Sequence, residues 1–111
     1  MRIVCVFYDG VVPQTEADEY VEIRNYGAAA VNLAGWSLKD VADGTPTFAF
    51  PSSVLQPSQS VRVYTNQVQA EWGGFSFGSG NAIWNNSTPD RAGMFNAQGV
   101  PVSEKSYPPG C

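Results

Sequence analysis

Apolar and polar residues alternate in short runs along the whole chain, and no run carries apolar residues at helical spacing for as long as about ten residues. Strict alternation over about four to eight residues marks a strand with one buried face. The run EYVEIRN at 19–25 predicts such a strand, with Val21 and Ile23 inward and Tyr20, Glu22 and Arg24 outward. SVRVYT at 60–65 repeats the pattern, with Val61 and Val63 inward. Residues 31–39, VNLAGWSLK, predict a third strand. Trp36 and Leu38 share one of its faces, and Gly35 suggests a bend or bulge. Further strands are predicted at 2–8, at 46–50 with Phe48 and Phe50, at 82–85 with Trp84, at 91–96 and at 100–107.

Turn signals separate these runs. Asp43-Gly44 is a strong one, and Ala97-Gln98-Gly99 closes a last hairpin. Residues 51–57 form a loop whose Val54 and Leu55 are expected to tuck under a sheet. Residues 66–81 are the least regular, with Trp72, Phe75 and Phe77 set among Gly and Ser. The expectation is an all-β antiparallel sandwich of about seven to nine strands. With no helix to make a parallel crossover, sequential antiparallel pairing is expected. A buried tryptophan commonly anchors such a sandwich between its sheets. Trp36 is expected in that place, with Trp84 in the core nearer a strand end.

Length and composition narrow the picture. The 111 residues make one domain, read here as 1–107, and Pro108-Pro109-Gly110-Cys111 reads as a tail or linker. Hydrophobic residues at 43% against 14% charged exclude a disordered chain. No segment reaches the roughly 20 apolar residues of a membrane helix. The opening MRIVCVFY is cut short by Asp9 and reads as a first strand, not a secretory leader. Net charge is −4, and the six basic residues Arg2, Arg24, Lys39, Arg62, Arg91 and Lys105 are scattered. Nucleic acid is therefore not an expected partner. Two cysteines are too few for a disulfide framework or a zinc site. Cys5, flanked by apolar residues, reads as a small core side chain. The ends of a domain often lie close together, so a Cys5–Cys111 bond is the alternative.

The chemistry for catalysis is thin. Histidine is absent, which removes Ser-His-Asp and Cys-His nucleophile systems and His-based metal hydrolysis. Gly73-Gly74 and Gly78-Ser79-Gly80 lack the lysine and the helix of a phosphate loop. The ten acids sit mostly at strand ends and turns, where solubility explains them. No catalytic residue is expected. Asp9, Asp18 and Glu19, with Glu16, flank one loop and could meet at one end of the sandwich as hard oxygen ligands for calcium. The plainer reading is solvated turn carboxylates, and no other cofactor is expected. Asp40 and Asp43 carry the same ambiguity. Trp72 and Phe75, with Tyr64, are the candidate ligand- or partner-binding aromatics, because irregular Gly-rich loops often carry function. The competing reading is that they cap the core.

From Glu19 to Asn25 the chain resembles the lamin tail domain family. VNLAGWSLKD at 31–40 is similar to that family's Leu-Ser-Gly-Trp-x-Leu stretch. FAFP at 48–51 and LQPSQSVRVY at 55–64 resemble its next two strands. WNN at 84–86, DRA at 90–92 and NAQG at 96–99 match its closing hairpin. The resemblance covers about residues 3–107, and Gly-Trp-x-Leu followed by Trp-Asn-Asn is its most specific part. It implies an immunoglobulin-like sandwich found in nuclear lamins and in bacterial surface or secreted proteins. The chain lacks a coiled-coil rod and a basic localisation run, and its acidic loop from Asp9 to Glu19 is closer to the bacterial kind. The function this implies is a non-catalytic interaction or scaffolding module. It would be an accessory domain of a larger extracellular or surface protein and would engage a protein partner or a neighbouring domain. The alternative is a carbohydrate-binding module that uses its exposed aromatics.

Overall fold

The structure is a computed structural model that describes residues 1–8, 18–41, 47–79, 83–84 and 90–107. Ten strands run through these residues: β1 (Arg2–Phe7), β2 (Tyr20–Arg24), β3 (Val31–Asn32), β4 (Ser37–Asp40), β5 (Thr47–Ala49), β6 (Val54–Leu55), β7 (Ser60–Tyr64), β8 (Phe75–Ser76), β9 (Asp90–Phe95) and β10 (Pro101–Tyr107). One sheet has the order β1-β2-β7-β8 and a second the order β10-β9-β4-β5. A two-stranded sheet, β3-β6, lies beside them. The architecture is an immunoglobulin-like β-sandwich.

Alternation sets the two inner faces. Val21 pairs with Val63 and Ile23 with Val61 across β2 and β7, so four β-branched side chains meet as cross-strand neighbours. All four are buried. In the opposing sheet Leu38 pairs with Met94 and Asp40 with Ala92. The apolar residues of these pairs, with Ile3, Val6, Leu33, Phe50, Leu55, Phe75, Ile83, Trp84 and Tyr107, form one core cluster. At the flank where β1 approaches β10, the Ile3 amide donates to Ser103 Oγ at 3.1 Å and ties the two sheets together.

Buried Asn25 organises one end. Its side-chain amide donates to the carbonyls of Ala29 and Leu55, and its Oδ1 accepts from the Gly27 amide. Its backbone exchanges hydrogen bonds with the turn at Ser58 and Gln59. A short polar side chain thereby satisfies groups that the turn leaves without ladder partners. Asn25 thus joins the end of β2 to the small β3-β6 sheet.

Six expectations from the sequence need correction. The stretch 31–39 is not one strand. Gly35, in left-handed backbone (φ 80°), breaks it into β3 and β4, which belong to different sheets. Trp36 sits at that break. Its amide donates to the Leu33 carbonyl and its carbonyl accepts from Phe50, and its ring is half-buried against the core instead of filling it. Trp84 is the tryptophan inside, 1% exposed. It and Ile83 lie outside any strand, whereas Ala82 and Asn85 of the predicted 82–85 strand fall outside the described residues. Leu55 is buried as expected, but Val54 is 52% exposed, because adjacent strand residues face opposite sides.

Pairing is not wholly antiparallel either, since β7 and β8 run parallel, with Val63 opposite Phe75. The intervening chain turns back through a short 3₁₀ turn at Ala70–Trp72, which hydrophobic periodicity does not reveal. Cys5 is not a core side chain. A bulge between Ile3 and Cys5 shifts the register, leaving Cys5 opposite Glu22, half-buried and disulfide-bonded. Cys111 and the rest of the predicted tail at 108–111 lie outside the described residues.

The two tryptophans should therefore differ in stability measurements. Trp84→Ala removes a fully buried ring and should cost about 3–5 kcal/mol in urea unfolding. Trp36→Ala should cost about 1–2 kcal/mol, in proportion to the smaller area it removes from water. Equal losses would return Trp36 to the core.

Candidate functional site

The outward positions of β1, β2 and β7 form a continuous surface of mixed aromatic and charged residues. The register places Phe7 beside Tyr20 and Tyr20 beside Tyr64, with Glu22 beside Arg62 in the next row and Arg24 between Arg2 and Ser60 in the third. Arg62 is the centre of this surface. Its guanidinium carbon lies 4.1 Å from the Tyr20 ring centre and 3.7 Å from that of Trp72. Its Nε donates to Glu22 at 2.9 Å and its Nη1 to the Tyr64 hydroxyl at 3.3 Å. A planar guanidinium can do all of this at once, stacking through its faces and donating from its edge. Burial alone would lower the Arg62 pKa, but the bonds to Tyr64 and Glu22 raise it above its ordinary value. Burial raises the Tyr20 phenol, against the lowering pull of the Arg62 charge.

The three candidate aromatics separate in the structure. Phe75 is buried, edge-on to Phe48 and Phe50. Tyr64 faces outward by register yet is buried under its neighbours, 5.3 Å from the Tyr20 ring. Only Trp72 stays partly open, on the 3₁₀ turn, and the Arg62 guanidinium packs against its ring. Tight backbone geometry carries the turn onto the sheet. Gly73 takes left-handed backbone (φ 102°), and a Cβ there would meet the Phe75 ring at 2.8 Å. The sequence reading missed Arg62, Tyr20 and Glu22. Their outward positions two residues apart on EYVEIRN and SVRVYT were the available signal.

Of the three acids considered for calcium, Asp9 lies outside the described residues and Asp18 is half-buried in the turn before β2. Glu19 is wholly buried. Its Oε1 accepts from the Thr65 hydroxyl at 3.1 Å, the Ile83 amide at 3.0 Å and the Trp84 amide at 3.4 Å. Its carbonyl accepts from the Thr65 amide. An oxygen engaged by three donors acts as a structural acceptor. Among the described residues no three acids or cysteines gather as a metal site. Asp40 is buried at the end of β4, and Asp43 and Glu16 lie outside the described residues. The core residues Leu38, Val21, Ile23, Val61, Val63 and Trp84 all face the interior.

A family model described as Lamin Tail Domain matches residues 2–108. No curated protein matches the chain.

Glu19 generates a test independent of any ligand. Glu19→Ala strands buried donors that each cost about 1–3 kcal/mol when unpaired, so the summed loss in urea unfolding should be about 3 kcal/mol or more. Glu19→Gln keeps an accepting oxygen and should lose less. A loss below about 1 kcal/mol in the alanine variant would mean that segment 83–84 is held by other contacts.

Proposed function

The chain belongs to the lamin tail domain family, and on that premise we propose that it is a non-catalytic protein-interaction module whose working surface is the outward face of β1, β2 and β7. The observation that carries this is the Arg62 cluster. Tyr20, Tyr64 and Trp72 are fixed around one arginine, so a partner meets a surface whose aromatic side chains are already ordered. Pre-ordering lowers the entropy lost on association, and Tyr, Trp and Arg are the residues that most often carry binding energy. Lamin tail domains are not known as catalysts. No helix among the described residues is long and apolar enough to cross a membrane.

The finer reading is an accessory domain of a larger bacterial surface or secreted protein, which docks a protein partner or a neighbouring domain. The bonded state of Cys5 supports an oxidising compartment. A carbohydrate-binding role is less well supported. Sugar platforms need open aromatic faces, whereas Phe75 is buried and Arg62 packs against Trp72.

Site-specific photo-crosslinking in the source cells tests the proposal. A benzoylphenylalanine replaces Tyr26, 55% exposed beside this face, or Val100, 53% exposed in the β9–β10 hairpin of the other sheet. The expected result is a discrete protein adduct from position 26 and none from position 100. The same adducts from both positions, or none from position 26, would overturn the assignment. So would specific glycan-array binding that Trp72→Ala abolishes.

A further inference from the structure

We propose that Arg2, Arg24 and Tyr26 form a recognition site for a short acidic segment of a protein partner, an inference that rests on reading the chain as an interaction module. Arg2 and Arg24 are direct cross-strand neighbours on β1 and β2. Like charges so placed are destabilising, and folds usually relieve them with a nearby carboxylate. Here no carboxylate among the described residues forms an ion pair with either arginine. The described ion pairs are Arg62–Glu22 and Arg91–Glu104. The Arg24 Nε is shielded from solvent and has no hydrogen-bond partner among the described residues. Both guanidiniums instead flank the Tyr26 ring, with their carbons 5.8 Å and 5.3 Å from its centre. Tyr26 is among the most exposed large apolar residues described.

The charge pattern selects the ligand. The outward positions of β1, β2 and β7 carry Arg2, Arg24 and Arg62 against one carboxylate, Glu22, and Glu22 is engaged with Arg62. This face is therefore locally positive on a chain whose net charge is −4. The overall charge repels a long polyanion such as duplex DNA, while two adjacent guanidiniums attract a few carboxylates at short range. A guanidinium matches a carboxylate by paired donors. A bound acidic segment would also remove the repulsion between the two arginines. The exposed Tyr26 ring supplies apolar contact for the stem of an adjacent side chain.

The experiment titrates the ¹⁵N-labelled protein with a capped hexaglutamate peptide, with hexaglutamine as control, and with inorganic phosphate and a short DNA duplex as competitors. Hexaglutamate should move the resonances of Arg2, Arg24 and Tyr26, and hexaglutamine should not. The double variant R2Q/R24Q should weaken hexaglutamate binding about tenfold or more. Its melting temperature should hold or rise, because a like-charge pair has gone. Tyr26→Ala, at an exposed position, should weaken binding several-fold and serves should the double variant fail to fold. Unchanged affinity in these variants, or shifts confined to another face, would overturn the proposal, as would tighter binding of phosphate or DNA at these arginines. Failure here with an intact photo-adduct at position 26 would refute the acidic specificity alone. Loss of the adduct would refute the interaction surface itself.

Discussion

A carboxylate enclosed in the protein interior constrains the structure more tightly than any other single group. Glu19 has no exposed surface, and a polar oxygen withdrawn from water is tolerated only when hydrogen bonds replace its hydration. Its partners are distant in sequence: Thr65 is 46 residues away and Ile83 and Trp84 are 64 and 65 away. The requirement therefore fixes long-range geometry. Thr65, just beyond β7, is held at the start of β2 through both backbone and side chain, which reinforces the β2–β7 pairing at that end. The backbone at 83–84 belongs to no strand and has no ladder to satisfy its amides, so the carboxylate takes that role. Trp84 can thus enter the core on an irregular segment. Its ring packs edge-on against Phe77 and Tyr107, which brings the chain around β8 and the end of β10 into the same cluster.

The outer face follows from that inner arrangement. Once Val21, Ile23, Val61 and Val63 are committed inward, the period of two sends Tyr20, Glu22, Arg62 and Tyr64 outward in adjacent rows. Arg62 then has a carboxylate directly opposite and both tyrosines in the adjacent row. The 3₁₀ turn at Ala70–Trp72, whose end is held by a hydrogen bond from the Gly73 amide to the Ala70 carbonyl, adds Trp72 to the same guanidinium. The buried β-branched residues and the outward aromatic cluster are two consequences of one register.

Much of this was legible in the sequence where burial and alternation coincide. EYVEIRN and SVRVYT orient themselves, because each has two β-branched residues on one side and charged or aromatic residues on the other. The family resemblance, carried by Gly-Trp-x-Leu and Trp-Asn-Asn, pointed to the sandwich. The rest depends on information that local pattern does not carry. Trp36 and Leu38 share a parity, but the left-handed Gly35 ends β3 and leaves Trp36 at a break between sheets. Trp84 has no alternating neighbours because a distant carboxylate, not a ladder, holds its backbone. Glu19 itself, at the end of an acidic loop, has the sequence environment of a solvated turn residue or a metal ligand. Its burial follows only from contacts with residues 65, 83 and 84. The parallel β7–β8 pair is hidden for a similar reason, since a reversal through one 3₁₀ turn leaves no periodic trace.

The arginines of the outer face show how strand register assigns different roles to one residue type. Arg62 faces Glu22 across the β2–β7 ladder, and its donors and ring faces are occupied from within the fold. Removing it would take away packing as well as charge. Arg24 occupies the next outward position after Glu22 on β2, but its neighbours across the ladders are Ser60 and Arg2. Neither can neutralise it, and the Tyr26 ring offers only the weaker attraction of its π face. A two-residue step along one strand thus separates an arginine whose interactions are satisfied internally from one whose charge remains directed outward. That difference arises from the identity of the opposite residue, glutamate in one row and arginine in the next, so the bulge that sets the β1 register also determines where, among the described residues, this face carries arginines without an ion-pair partner.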